Sequence, residues 1–475
     1  MTRSKRAVIV GSGPNGLAAA IALARAGVHV TLFEAATTIG GCLRSEELTL
    51  PGCIHDAGAA VFPFAKASPF LSALPLERHG LTWIEPEIPI AHPLDGGDAV
   101  AQFHDLSATA SLLGTDGEQW ERWMRPLLQS WPSLLDDALA APLQLPRHPL
   151  RMASFGAIAL QPAQRIAMQL KSPRAQALFA GLTAHTNTPL DMAASTGAGL
   201  LLAAAAHSTG WPIARGGSQH LAHAMASLLQ QLGGEVMTGH RIFSLQELPT
   251  ADAIVLDVTP SQFLALAADQ LSHHEARMLT NVRCSPGVCK VDWAISSPIP
   301  WTAELPRTAG TVHLGGSLAE IAASERDAWE GRSNETPYVL LSQPTVFDST
   351  RSPHGTHTAW AYCHVPNGSR EDYTRAIEAQ VERFAPGFRS MILVRHTRTA
   401  TDMEQWNPNL LGGDISGGAM TLKQILLRTR YRTPVAGVYL CSSSTAPGGG
   451  VHGMCGWYAA VAAAKDMGLP RLRLA

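Results

Sequence analysis

Near the N-terminus, Gly11-Ser12-Gly13-Pro14-Asn15-Gly16 sets three glycines in the spacing G-x-G-x-x-G. The apolar run Ala7–Val10 before it reads as a strand. After it, Leu17, Ala20, Ile21 and Ala24 recur at i, i+3, i+4 and i+7, one face of a helix, with Gly27 where a C-terminal cap belongs. Val28 to Phe33 then reads as a second strand, closed by Glu34. In such a unit the first glycine permits the tight turn, the second lets the backbone approach a pyrophosphate, and the third packs the helix onto the strand. Pro14 and Asn15 open the helix, whose N-terminus offers partial positive charge to phosphates. Glu34 can accept both hydroxyls of an adenosine ribose and repels a 2′-phosphate. A dinucleotide site on a Rossmann-type βαβ unit is the expectation.

Other readings of the same region explain less. Lys5 and Arg6 before an apolar run resemble an export signal, but Gly11, Gly13 and Gly16 break that run and Arg25 interrupts it. Lys plus Arg number 36 against 38 Asp plus Glu, with no basic block, so neither nucleic acid nor an anionic membrane surface is an expected partner. The seven cysteines (Cys42, Cys53, Cys284, Cys289, Cys363, Cys441 and Cys455) include no C-x-x-C pair and no metal-ligand spacing. Free thiols in a reducing, cytoplasmic setting follow, and a dithiol-flavin reductase is disfavoured. Leu200–Ala206 with its flanks falls short of the roughly 20 apolar residues a spanning helix needs.

At 475 residues the chain exceeds one compact core. Alternating β and α character returns at three later places. Arg215-Gly216-Gly217 leads into a helix with Leu221, Met225, Leu228 and Leu232 on one face, then Gly233-Gly234 and strand-like residues Glu235 to Leu245. Ala251 to Val258 is a β-rich run ending at Thr259-Pro260, and Gly437 to Cys441 is a short strand before a glycine cluster and an Ala-rich helix. The stretches between have weaker periodicity. The expected architecture is α/β: a discontinuous Rossmann-type domain from residues 1–85, 211–275 and 416–475, carrying a mixed α+β substrate domain from 86–210 and 276–415.

Two features favour FAD over NAD. Gly40-Gly41, with Arg44 just beyond, supplies a second close approach for an extended cofactor. Pro447-Gly448-Gly449-Gly450-Val451-His452-Gly453 runs straight into the last helix. There, backbone N–H groups at Gly449, Gly450 and Val451, together with the helix dipole, would stabilise negative charge on a reduced flavin ring. Arg215 and Gly216 are candidates near flavin or pyrophosphate; for Arg215 a surface charge at the turn is the competing reading. No second G-x-G-x-x-G provides for nicotinamide, and no nucleophile elbow, P-loop or metal cluster is evident.

These segments, with Trp211 to Gly217 (WPIARGG), Gly412-Gly413-Asp414-Ile415 and Arg430 to Ala460, resemble the phytoene desaturase, carotenoid isomerase and retinol saturase superfamily. The resemblance is nearest to its "phytoene dehydrogenase-like" branch and runs the full length, thinning between about 90 and 180. It implies FAD, hydride transfer and a hydrophobic small-molecule substrate; oxygen, a quinone or another carrier is the expected electron acceptor, and a lipophilic substrate would bring peripheral membrane contact. One departure is Ser442-Ser443-Ser444, where the family carries glycine and where Ser443 would meet the ribityl chain. More distantly, Val451-His452-Gly453 and Val288-Cys289-Lys290, with Trp301 downstream, resemble flavin amine oxidases, in which the lysine contacts flavin N5 through a water. Lys290 is therefore the sharpest catalytic candidate, against an exposed strand lysine. His452 in the flavin-facing loop and His185 on the substrate side are candidates too, each against a packing role, as is His207. The reactions these features allow are dehydrogenation of a C–C or C–N bond, amine oxidation, or redox-neutral polyene isomerisation or saturation on reduced flavin. The oligomeric state is open.

Overall fold

The computed structural model describes residues 4–140, 145–279, 283–428 and 430–474. Parts of the expected segments at 1–3, 141–144, 280–282, 429 and 475 lie outside them. One sheet has five strands, all parallel, in the order Val438–Leu440, Ala253–Leu256, Arg6–Val10, His29–Phe33, Glu235–Met237. Its strands come from three distant parts of the chain. Parallel pairing requires crossovers, and the first is the helix Pro14–Arg25, with Pro14 in its first turn and Gly27 at φ 79° just past its end. Every residue from Asn15 to Ala24 is buried. Small side chains make that burial workable, because the last helix, Met454–Asp466, crosses it at backbone contact. A Cβ on Gly456 would stand 1.9 Å from the carbonyl oxygen of Asn15.

The run expected to be a strand from Glu235 to Leu245 is one only as far as Met237. Beyond it the chain turns at Gly239 and pairs with the loop after the second strand, Gly239 N–H donating to Ala36 O and His240 N–H to Glu34 O. At a sheet edge there is no further neighbour to hold the strand straight, so the segment wraps around Glu34 instead.

The second sheet has seven strands, in the order Ile392–Arg398, Gly287–Ile295, His357–Val365, Val339–Ser342, Ala309–Leu314, Ile88–Pro93, Ala99–Gln102. It is antiparallel except where Ala309–Leu314 meets Ile88–Pro93. Period-two alternation sorts its side chains. Cys289, Val291, Trp293 and Ile295, with Ala359, Ala361, Cys363 and Val365, fill a core on one face. Val288 and Lys290, with Trp360, Tyr362 and His364, take the other face, where they line a cavity. The helices between Leu106 and Ser208 share one hydrophobic core with Pro14–Arg25 and Met454–Asp466.

Candidate functional site

A cavity of about 1180 Å³ runs from the first glycine turn to the polar face of the seven-stranded sheet. At one end lie Gly11, Gly13, Pro14, Asn15, Glu34, Gly41 and Arg44; Ser443, Gly449, Gly450, Val451 and His452 line it as well, as do Lys290 and His185. Gly16 and Gly40 stand behind this wall. A Cβ on Gly16 would fall 2.0 Å from Gly11 O, and Gly40 N–H donates to Ser12 Oγ at 3.0 Å. Arg215 and Gly216 are not among the lining residues: Arg215 is exposed with its N–H on Thr82 O, and Gly216 N–H donates to Asp348 Oδ2 at 2.6 Å. That turn is held by a buried cluster instead, in which Arg351 bridges Asp56 at 2.7 Å and Asp348 at 3.1 Å.

The nucleotide end is held by hydrogen bonds within the chain. Glu34 accepts from Ser12 N–H at 2.9 Å and Ser12 Oγ at 2.6 Å through one oxygen, and from Ala36 N–H at 2.8 Å through the other. Each oxygen retains lone-pair capacity for a ribose hydroxyl. Asp257, at the end of strand Ala253–Leu256, accepts from Gly16 N–H at 2.9 Å and also lines the cavity. Burial pushes its carboxyl up to about 7, with the Gly16 hydrogen bond opposing and the charge of Glu34 adding. A carboxyl that keeps its proton near neutrality tolerates a pyrophosphate beside it. Its position after a β-rich run and before Thr259-Pro260 was a usable sequence signal, but the aspartate is absent from the glycine fingerprint.

At the other end the candidate lysine is buried, 3% exposed, and not the exposed strand residue of the competing reading. Lys290 Nζ pairs with Asp292, which in turn faces His55 at 3.6 Å, and the ammonium lies 5.7 Å from the Trp360 ring centre. Burial pulls the ammonium below its ordinary value, against the attraction of Asp292. Trp360 and Tyr362 lie near-parallel, 6.3 Å apart and 3° from coplanar orientation. Trp301 is in the core behind the sheet. His207 is buried, accepting from Trp120 Nε1 at 3.0 Å. The period-two pattern of His357–Val365 was the available signal for Trp360, Tyr362 and His364, which carry no motif.

The loop before the last helix is strained toward the cavity. Among the described residues, the non-glycine positions with positive φ are Asn187 (57°), Ala194 (69°) and Val451 (55°), and all three line it. Such conformations cost of order 1–3 kcal/mol and persist where surroundings enforce them. Met454 N–H donates to His452 Nδ1 at 3.0 Å, so the neutral ring carries its hydrogen on Nε2, a buried donor that faces the backbone of Gly448 and Gly449 without a well-formed hydrogen bond. Burial holds His452 down at about 4, keeping it neutral. Asn15 Oδ1 is buried without a partner. Orphaned polar atoms on the wall of a glycine-lined cleft fit an extended nucleotide cofactor, which would satisfy them. Ser443 retains the lining position despite its departure from glycine, its carbonyl accepting from Arg428 Nη1 at 2.6 Å.

A parallel sheet, a glycine turn and a long cleft reaching a second sheet mark an oxidoreductase built on a Rossmann-like nucleotide-binding fold. Residues 9–74 match the NAD(P)-binding Rossmann-like domain. The chain is 26% identical to pyridine nucleotide-disulfide oxidoreductase domain-containing protein 2 of Mus musculus, over 97% of this chain and 93% of that one. It is 23% identical to the lycopene-forming phytoene desaturase of a Paracoccus strain, over 95% of each. Among solved structures, a putrescine oxidase superposes with TM-score 0.62 at 18% identity, covering 98% of this chain and 99% of that one, a likeness of fold. The superfamily resemblance read from the motifs thus stands on full-length relatives at low identity. The cofactor these findings specify is a flavin or nucleotide. Among the described residues, no helix is long and apolar enough to cross a membrane, and no group of three side chains is placed to hold a metal.

Proposed function

We propose that the protein is an FAD-dependent dehydrogenase acting on a C–C or C–N single bond of a hydrophobic small molecule. The observation that carries this reading is the continuity of one cavity from Glu34 and the glycine turn to Lys290 and the aromatic strand face. Gly11, Gly13, Asn15 and Glu34 would hold the adenosine diphosphate half; Gly41, Arg44, Ser443 and Gly449 to Val451 would hold the flavin half. FAD, when bound, supplies the hydride acceptor.

The chain's own groups do the rest. His452 offers Nε2–H as a fixed neutral donor, and Asp292 holds the lysine ammonium at the sheet face, where it can orient a water. Walls of Leu201, Leu202, Phe155 and Met152 exclude water and select an apolar substrate. The electron acceptor in turnover would be oxygen or a quinone, and a lipophilic substrate would bring the protein to a membrane surface. Cytoplasmic residence, the two-domain division and the cofactor contacts named above belong to the same proposal.

A second reading is favoured by the parallel Trp360–Tyr362 pair beside Lys290: oxidation of an amine C–N bond. The purified protein should be yellow, and anaerobic addition of phytoene or of putrescine should bleach its visible bands. Bleaching by the polyene selects C–C dehydrogenation and bleaching by the diamine selects amine oxidation. Activity on a polyene only after dithionite would select redox-neutral isomerisation or saturation. A colourless protein that refuses added FAD overturns all three.

A further inference from the structure

Four histidines line the cavity: His185, His240, His364 and His452. One of them is backed by a buried carboxylate. Both oxygens of Glu325 lie on His364 Nδ1, at 2.9 and 2.8 Å. Glu325 is 0% exposed, on the helix Leu318–Glu330, which a Ser317–Glu320 capping box fixes at its start. His364 is its hydrogen-bond partner, and the carboxylate itself is not part of the cavity wall. A lone buried carboxylate is costly unless a cation or strong donor faces it. His364 meets that need through Nδ1, which leaves Nε2 without a hydrogen-bond partner among the described residues.

The surrounding groups sharpen the assignment. His185 and His313 face each other through their Nε2 atoms at 3.1 Å with no carboxylate nearby. Burial pushes His185 down to about 3, with the charge of His364 adding, and pushes His313 well below the usual range. Both are neutral packing partners. Tyr338 and Tyr362, 6.3 and 5.8 Å from the His364 ring, are pushed up by burial and by Glu325 among others, so neither gives up its proton near neutrality. Lys290 pairs across the strands with Tyr362, whereas His364 pairs with Val288. His364 thus stands about 7 Å further along the strand than the lysine's level. The lysine is occupied by Asp292.

We propose that His364 is the proton acceptor at the substrate end of the cavity, with Glu325 as its positioning residue. The C–H or N–H bond adjacent to the carbon being oxidised breaks heterolytically. Its proton passes to His364 Nε2, and its electron pair stays on the substrate to form the new double bond, compensating the hydride given up to the flavin. Glu325 remains an anion and stabilises the imidazolium. The step rests on the dehydrogenase reading; the dyad itself does not.

Two measurements separate those cases. In the ¹⁵N-histidine NMR spectrum of the protein as purified, one ring should show Nδ1–H and an unprotonated Nε2. That signal should vanish in His364→Gln and change tautomer or titration midpoint in Glu325→Gln. Finding the Nε2–H tautomer, or no change in Glu325→Gln, overturns the dyad whether or not a substrate is known. In stopped-flow bleaching with phytoene or putrescine, His364→Gln should retain the flavin spectrum and bleach about 100-fold or more slowly. It should lose the acidic limb of the rate–pH profile, and His364→Ala should be partly rescued by free imidazole. Normal bleaching with an unchanged pH profile in His364→Gln overturns the acceptor role and leaves the dehydrogenase reading intact. A colourless protein sinks that reading and the acceptor role, leaving the dyad to the NMR signal.

Discussion

The two ends of the cavity are built on different terms. The nucleotide end is mostly backbone: glycines and helix ends from both termini of the chain, whose missing Cβ atoms let Gly16 close on Gly11 and Gly456 on Asn15. The sheet end is mostly side chains, with Lys290, Trp360, Tyr362 and His364 set by strand alternation and with partners such as Glu325 arriving from another element. Backbone sites tolerate little substitution but need few residues. Side-chain sites can be retuned one group at a time, provided every buried charge keeps a partner.

That contrast breaks first at Lys290. Lys290→Met leaves Asp292 buried beside His55 without its ammonium, and removal of one member of a buried pair costs about 3–5 kcal/mol. Denaturant melts should show this loss while flavin affinity, set at the other end, stays unchanged. Gly456→Ala should come next. Its methyl meets a backbone carbonyl that cannot move without its helix, so the cost sits near the upper end of about 1–3 kcal/mol, read as a lowered Tm. Glu34→Gln, which keeps an acceptor for Ser12, should spare stability yet weaken FAD by roughly 2 kcal/mol, about 30-fold, in a fluorescence titration. A loss of fold without loss of affinity in the Glu34 variant would erase the distinction between the ends.

The smallest effect is a pH dependence. Asp257 has its folded-state pKa raised, chiefly by burial, to about 7, above its ordinary carboxylate value. The folded chain therefore holds a proton that the unfolded chain has lost, and stability falls as pH rises from the unfolded value through about 7. Asp257→Asn should remove this slope: a Tm gain of a few degrees at pH 8 and none near pH 4, by scanning calorimetry. The same variant should flatten any fall in FAD affinity across neutrality. A slope that persists in the variant assigns it to another group.

How much of this was legible follows the same division. Gly11 to Gly16, Glu34 and the Gly449–Val451 loop were legible because close backbone approach forces glycine at fixed offsets. The parallel strands were legible from their apolar runs, though the one after Gly234 ended early where an edge let it curl around Glu34. Arg215 and Gly216 were candidates from their place at a strand–helix turn, but Arg215 is exposed, as its competing reading had it, and the turn faces the Arg351–Asp56–Asp348 cluster. His364 and Glu325 were not legible. Nothing in the sequence sets a strand histidine against a glutamate 39 residues earlier, because their meeting depends on how a helix lies over a sheet.

The position of the last helix has a consequence for synthesis. Strand Val438–Leu440 is an edge of the parallel sheet, and Met454–Asp466 is the surface on which Pro14–Arg25 rests. A chain emerging from the ribosome exposes the glycine turn almost at once, but the scaffold that stiffens it is made last. On the proposed FAD reading, cofactor capture would follow folding of Met454–Asp466, and a chain cut before residue 438 would carry the fingerprint without its support.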